Sequence, residues 1–81
     1  MKMFIISTKD DLNGFMNVSL CHKKEIAKRD FEHAMAIASQ DSLFYSHPED
    51  YSLYCLGEFD VESGSITVYP TPDFLIRGQS K

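Results

Sequence analysis

Residues 51–69 decide the fold class: Tyr51–Asp60 has the sequence YSLYCLGEFD, residues 61–64 have VESG, and residues 65–69 have SITVY. The two outer segments are rich in aromatic and β-branched residues, which favour strands. The middle segment has the glycine and the polar residues of a tight turn. The pattern therefore predicts a β-hairpin.

Two prolines follow this hairpin on its C-terminal side. Pro70 and Pro72 predict the end of the last strand, because proline cannot donate a hydrogen bond to a neighbouring strand. We interpret residues 73–81 as a flexible tail. Its apolar residues can still dock on the domain: Phe74, Leu75 and Ile76.

The N-terminal part predicts a second pair of strands. Residues 3–7 (MFIIS) are a short apolar run, and Asn13-Gly14 is a strong signal for a chain reversal. Every second residue of residues 15–20 (FMNVSL) is apolar, which is typical of a half-buried strand. We expect it to pair antiparallel with the first strand.

From Lys23 onwards the apolar residues recur at the spacing of a helix. Seven of them fall within one half of a helical wheel: Ile26, Ala27, Phe31, Ala34, Met35, Ile37 and Ala38. Asp30 lies in the same arc, which implies a polar partner for its carboxylate.

The predicted helix ends within residues 39–42. Residues 43–45 (LFY) are an apolar segment of either type, and residues 46–50 (SHPED) predict a turn or a short extra helix.

The resulting element order is ββαββ, which predicts a single α+β domain over residues 1–81. We expect a four-stranded, mainly antiparallel sheet with one helix on one face. A chain of 81 residues buries only about 60% of the surface that it exposes when unfolded, so it has one small core. The residues predicted to form the helix-facing core are Phe4, Ile6, Val18, Phe31, Ala34, Ile37, Leu53, Cys55, Ile66 and Val68.

The composition limits the classes of protein to consider. The net charge is −4 and 43% of the residues are apolar. No apolar run approaches the roughly 18 residues of a membrane span, and the first residues lack the pattern of a signal peptide. We expect a soluble, intracellular protein. Because one helix covers only one face of a sheet, we also expect a homo-oligomer.

Half of the positive charges are concentrated at the predicted start of the helix, on Lys23, Lys24, Lys28 and Arg29. The helix N-terminus adds its own partial positive charge, so a phosphate group can bind there. The alternative is a solvated helix start, in which the lysines pair with Glu25 and Glu32.

Exposed aromatic side chains are the second requirement for binding single-stranded nucleic acid. Tyr54, and Tyr69 on the partner strand, are candidates for a platform on which bases stack. The alternative is that these rings cover the core or a dimer interface.

No sequence motif indicates an enzyme, so we expect neither catalytic residues nor a cofactor. His47, Glu49 and Asp50 are too few ligands for a metal site, and we expect no bound metal. Cys21 and Cys55 lack the spacing of a metal or redox pair, and we interpret them as small apolar residues without a disulfide.

Residues 47–60 (HPEDYSLYCLGEFD) carry a resemblance to a known family. They match every fixed position of the pattern H-P-E-D-[YF]-x-L-[YF]-x-[LI]-G-x-[FY]-D, which is typical of the small non-structural protein of gokushovirus-type microviruses. Upstream, Ala27, Arg29 and Phe31 match the A-x-R-x-F of its helix. The resemblance covers about two-thirds of the chain, and the first 22 residues match only loosely.

The resemblance implies a phage protein that is absent from the mature particle and acts in single-stranded DNA synthesis or packaging in the host cell cytoplasm. Arg29 would then contact a phosphate or a partner. The motif residues of unknown role form an ordered turn, His47, Pro48, Glu49 and Asp50, while Gly57 and Asp60 serve strand geometry and the hairpin turn.

Two functional hypotheses follow from these observations. The first is a single-stranded DNA-binding accessory of replication and packaging, with an affinity no better than micromolar because the chain is acidic. The second is an adaptor that docks on a viral replication protein, a procapsid or a host factor. DNA binding would weaken strongly with salt, whereas an aromatic protein interface would respond weakly.

Overall fold

The computed structural model describes residues 1–39 and 46–78, and its elements follow the order ββαββ. The elements are β1 (Lys2–Asp10), β2 (Gly14–Cys21), α1 (Lys24–Ala36), a 3-10 turn (Pro48–Asp50), β3 (Tyr51–Asp60) and β4 (Ile66–Arg77). Neighbouring strands are antiparallel, in the spatial order β2-β1-β3-β4. The predicted α+β fold, with a four-stranded sheet and one helix in the described part of the chain, is confirmed.

Aspartates stabilise both hairpin turns. The Asp10 carboxylate accepts a hydrogen bond of 2.7 Å from the Asn13 side-chain amide, and Gly14 follows with a φ of 88°. In the second turn the Gly64 N–H donates to the Asp60 carbonyl at 2.8 Å, and Gly64 has a φ of 77°. Both glycines adopt the left-handed conformation that residues with a Cβ rarely take. The two predicted hairpins are thus confirmed at the positions of their turn residues.

The core lies between α1 and the middle of the sheet. α1 buries a narrow stripe with one residue per turn: Ala27, Phe31 and Met35. The sheet contributes four buried residues that pack against this stripe: Ile6, Tyr51, Leu53 and Cys55. Beside the stripe, a cleft of about 290 Å³ separates α1 from β2, and Asp30 lines it. The packing of α1 on the sheet is therefore incomplete on the side of this cleft.

Half of the predicted core is confirmed and half is wrong. Ile6, Phe31, Leu53 and Cys55 are buried, and Phe4 packs partly buried against them. The residues that are exposed instead are Val18, Ala34, Ile37, Ile66 and Val68.

A bulge in β2 explains the exposure of Val18. The pairing of β1 with β2 shifts between Ile6 and Thr8, where Asn17 has a left-handed φ of 53°. An extra residue in one strand reverses the faces of all the following side chains. Met16 thus pairs with Thr8 on the side of the helix, whereas Leu20 pairs with Ile5 on the opposite side.

A second irregularity, around Leu56 of β3, explains the exposure of the start of β4. The pairing of β1 with β3 shifts there, so that Gly57 lies opposite Ile5 on the face away from α1. Val68 pairs with Gly57 and Ile66 pairs with Phe59. Because directly opposed residues share a face, Val68 and Ile66 point away from the helix.

The two prolines do not end the last strand, so this prediction is wrong. Val68 pairs with Gly57 and Asp73 pairs with Cys55, and residues 69–72 bulge out between these pairs. The edge position of β4 permits this, since proline is tolerated where no partner strand needs its N–H. Residues 73–77 therefore belong to the sheet and not to a tail. α1 ends at Ala36, with Ile37 as its C-cap, so the predicted helix end within residues 39–42 is wrong and Ile37 lies past the last helical turn. Residues 79–81, and the segment 40–45 with its LFY run, lie outside the described residues.

Candidate nucleic-acid interface

The face of the sheet opposite α1, here called the open face, has three aromatic rings in a row. They are Phe15 of β2, Tyr54 of β3 and Phe74 of β4, and we call them the aromatic row. The ring centroids of Phe15 and Tyr54 are 5.5 Å apart, and those of Tyr54 and Phe74 are also 5.5 Å apart. Both pairs meet edge to face, at 82° and 76°. This geometry is a favourable one for aromatic pairs.

The strand register places these rings side by side. Tyr54 lies opposite Ser7 of β1 and opposite Phe74 of β4. Ser7 is small and fully buried, so the rings of Phe15 and Tyr54 can meet above β1. Phe74 follows the proline bulge and stands where β4 pairs again with β3. The row thus depends on residues from all four strands.

A lysine joins the aromatic row. Lys9 lies opposite Phe15 in the pairing of β1 with β2. Its ammonium nitrogen is 5.6 Å from the Phe15 ring centroid and 5.9 Å from that of Tyr54. Both distances are within the range of cation–π attraction. The Lys9 charge is therefore held beside the rings of Phe15, which is 44% exposed, and Tyr54, which is half-buried. Phe74, at the other end of the row, is 51% exposed.

The arrangement suits a polymer that has planar bases and anionic phosphates. Aromatic faces accept stacked bases of any sequence, and a lysine ammonium can contact the phosphate between two bases. Antiparallel sheets with one uncovered face and two or three exposed rings are a common platform for single-stranded nucleic acid.

The structure places the four basic residues of the helix start on the other side of the sheet from Tyr54. Lys23 and Arg29 are exposed, and Lys28 is half-buried. Lys24 pairs with Asp73 of β4, with 2.9 Å between ammonium and carboxylate, and not with the Glu25 or Glu32 of the sequence-based alternative. The hydrogen bond to Asp73 raises the pKa of Lys24 above its usual value of 10.5.

Tyr69 lies with this helix start and not with Tyr54. Its ring packs against the core on the α1 side, and the Lys24 nitrogen is 5.9 Å from its centroid. The same nitrogen is 5.1 Å from the ring centroid of Phe4. Burial raises the pKa of the Tyr69 phenol. The two predicted stacking residues are therefore on opposite faces, and a single short strand of DNA cannot stack on both.

The His47-Pro48-Glu49-Asp50 motif has a structural explanation. Pro48 is buried, and the Glu49 carbonyl accepts a hydrogen bond of 2.6 Å from the Arg77 guanidinium. The Asp50 carbonyl accepts the N–H of Asp11 at 3.0 Å. A Cβ on Gly78 would collide with the Pro48 carbonyl, so only glycine fits there. The turn thus fastens the end of β4 to the start of β3, while His47 is exposed.

The other two motif residues are also in structural positions. A Cβ on Gly57 would collide with the backbone of Thr67, which explains why the close pairing of β3 with β4 needs glycine there. The N–H of Glu62 donates to the Asp60 carboxylate at 3.0 Å and lowers the pKa of Asp60. Among residues 1–39 and 46–78, no group of three or more His, Cys, Asp or Glu side chains could hold a metal ion.

Three of the four residues of the candidate site are absent from the sequence-based candidates: Lys9, Phe15 and Phe74. Phe15 was not among the candidates, because the alternation of residues 15–20 assigned Met16 to the buried side. Lys9 lies beyond the predicted strand of residues 3–7, and Phe74 lies in the predicted tail. The available signal is strand alternation, which puts Tyr54 on the face of β3 away from its buried neighbours Leu53 and Cys55. The partners of Tyr54 could not be found without the register.

The fold and this site define a class: a small α+β domain whose sheet has one face packed on a helix and one face with accessible aromatic rings. The chain belongs to the family described as Phage ORF5 protein, whose model matches residues 3–80. It is therefore a bacteriophage protein. No curated protein and no solved structure gives a significant match. In the described ranges, no helix is both long and apolar enough to cross a membrane.

Proposed function

We propose that this phage protein binds single-stranded DNA on its open face. In this proposal it is a non-structural, non-enzymatic accessory of genome replication or packaging in the host cell cytoplasm. The observation that carries the proposal is the aromatic row of Phe15, Tyr54 and Phe74 with the Lys9 ammonium beside it. The resemblance to the non-structural protein of microviruses, which are single-stranded DNA phages, supports the choice of nucleic acid.

Energetics favour stacking over charge as the main source of affinity. Each stacked base contributes roughly 1–3 kcal/mol, and a row of three rings offers up to three such contacts. By contrast, Lys9 neutralises one phosphate, and the net charge of −4 repels DNA at longer range. We expect an affinity no better than micromolar at physiological salt. Its dependence on salt should be shallower than four phosphate contacts at the helix start would give, because one lysine of the aromatic row meets the phosphates, so salt dependence alone does not separate DNA binding from an adaptor.

The sequence-based prediction that Lys23, Lys24, Lys28 and Arg29 contact phosphates stays a prediction. Asp73 already neutralises Lys24. A DNA strand long enough to pass around an edge of the sheet could reach Lys23, Lys28 and Arg29 from the aromatic row. A short oligonucleotide on the open face could not.

Titration of a fluorescein-labelled oligothymidylate, followed by fluorescence anisotropy, tests the proposal. Phe15→Leu and Phe74→Leu keep an apolar side chain but remove a stacking surface, and together they should weaken binding about tenfold or more. Tyr69→Leu is the matched control on the other face and should leave the affinity unchanged. Equal binding of the unmodified protein to duplex DNA would contradict the proposal, because paired bases cannot stack on the rings.

The adaptor hypothesis remains the second candidate, because Ile66 and Val68 expose apolar surface on the same face. An adaptor would capture a protein partner with little dependence on salt. Absence of any DNA binding at low salt would favour this candidate.

A further inference from the structure

Besides the aromatic row, the open face exposes a second, aliphatic region. The pairs Ile5 with Leu20, Gly57 with Val68, and Phe59 with Ile66 place these residues on that face. Val68 is 72% exposed and Ile66 is 62% exposed. Contiguous apolar surface of this kind is uncommon on a monomer and usually marks an interface.

We infer that a second copy of this chain covers the open face when no nucleic acid is bound. The inference goes beyond the proposed function and does not require it. Two sheets packed face to face, about 10 Å apart, are a common way to bury such surfaces. A two-fold axis would put the same apolar face on both sides of the contact.

The area of the open face suits a dimer. Four strands about 4.8 Å apart, with lengths near the 10 residues of β3 at about 3.4 Å per residue, give a face of roughly 650 Å². Two such faces bury roughly 1,300 Å² in total. Stable, specific interfaces bury about 1,200–2,000 Å², so pairing of the whole face reaches this range and pairing of half of it does not.

The charges also permit this contact in spite of the acidic composition. Asp10, Glu58 and Asp73 lie on the α1 side of the sheet, opposite Gly14, Phe4 and Cys55 in the register. In the described strands, the charged residues that the register assigns to the open face are Lys9 and, at its corner, Arg77. The Lys9 charge lies against rings of its own chain. The described strands therefore bring no carboxylate to the contact, and the Asp11 carboxylate at its corner is paired with Arg77 at 3.4 Å.

The edges of the sheet are less suitable for association than its face. β2 contains the Asn17 bulge, and β4 contains the bulge of residues 69–72 with its two prolines. Bulges and prolines at edge strands hinder the addition of a further strand. Among the described residues, the open face is therefore a better surface for association of two copies than the edges of the sheet.

Sedimentation equilibrium of the full chain, together with two lysine variants, tests the inference. The unmodified protein should show twice the 9.3 kDa monomer mass at high concentration and dissociate on dilution. Val68→Lys should raise the dimer dissociation constant about tenfold or more, because it buries an unpaired charge in the interface. Ile37→Lys adds the same charge to an equally exposed residue next to α1 and should leave the constant unchanged.

Methyl NMR spectra during dilution of the unmodified protein give a test that needs no variant. The methyl signals of Ile5, Leu20 and Val68 should shift, while those of Ala27 and Ile37 should not. A monomer at all concentrations would overturn the inference and leave the face to DNA or to a different protein. A dimer that Val68→Lys does not weaken would overturn it as well.

Addition of oligothymidylate to the dimer distinguishes this inference from the proposed function. If the inference and the proposed function are both correct, DNA should convert the dimer into DNA-bound monomers, because DNA and the second copy of the chain use the same face. A dimer that does not bind DNA would contradict the proposed function and support the inference. A dimer that binds DNA without dissociating would overturn the inference.

Discussion

Ser7 and Ser52 are both fully buried on the open side of the sheet, but their hydroxyl groups differ. The Ser7 hydroxyl donates a hydrogen bond of 2.7 Å to the Met16 carbonyl at the β2 bulge. The Ser52 hydroxyl has no hydrogen-bond partner in the described part of the chain. A buried hydroxyl without a partner loses its hydration on folding and gains nothing in return.

Replacement of these serines by alanine should therefore have opposite effects. Ser7→Ala should lower the free energy of unfolding by about 1 kcal/mol, because it removes the hydrogen bond that the hydroxyl donates to the Met16 carbonyl. Ser52→Ala should leave the free energy of unfolding unchanged or raise it by roughly 0.3 kcal/mol. Urea unfolding monitored by circular dichroism measures both. A large loss for Ser52→Ala would mean that its hydroxyl has a partner.

Lys9 determines how binding depends on salt if the aromatic row holds DNA. Lys9→Gln removes one cation and keeps the length of the side chain. For a short oligothymidylate it should lower the slope of log affinity against log salt by about 1. Anisotropy titrations at several salt concentrations give this slope.

Lys28→Gln combined with Arg29→Gln is the matched control for this slope. Both residues lie on α1, beyond the sheet from the aromatic row, so a short oligonucleotide should show no change. A slope lowered by about 2 in the double variant, with no effect of Lys9→Gln, would instead place the phosphates at the helix start.

At the level of whole elements, the sequence predicted local structure and failed on register. The Asn13-Gly14 and Gly64 turns, the helical spacing from Ala27 to Met35 and the β3–β4 hairpin are all encoded by neighbouring residues. The faces of Val18, Ile66 and Val68 depend on bulges, which depend on contacts between strands. The aromatic row combines residues from β2, β3 and β4, so periodicity within any one segment could not predict it.

α1 is attached to the sheet by few residues, so each one contributes much of the attachment. Phe31 is the largest side chain of the buried stripe of α1. Phe31→Ala should cost about 3–5 kcal/mol and remove the cooperative thermal transition of this small domain. Glu32→Ala, at the exposed neighbouring position, should leave the transition in place. An unchanged melting temperature for Phe31→Ala would contradict the described core.

For the molecule as a whole, alkaline pH should reduce stability. Burial raises the pKa of Tyr51 and Tyr69 above the usual value of 10.0, and Asp73 raises the pKa of Lys24 above 10.5. The folded state thus retains these protons at pH values where the unfolded state loses them. By linkage, the contribution is complete below about pH 10 and is lost as the pH rises through the folded-state pKa values.

Urea unfolding at about pH 8 and about pH 11 measures this loss. The free energy of unfolding should be lower at the higher pH, and Tyr69→Phe should reduce the difference because phenylalanine does not ionise. A stability that stays constant or rises over this interval would contradict the assignment of these protons.

NMR titration of the unmodified protein with a short oligothymidylate tests the proposed function most directly. We predict that the ring signals of Phe15, Tyr54 and Phe74 shift progressively, as bases stack on them, together with the side-chain signals of Lys9. The signals of Lys28, Arg29 and Tyr69, on the other side of the sheet, should stay in place. Shifts confined to these three residues, or the absence of shifts at low salt, would contradict DNA binding on the open face.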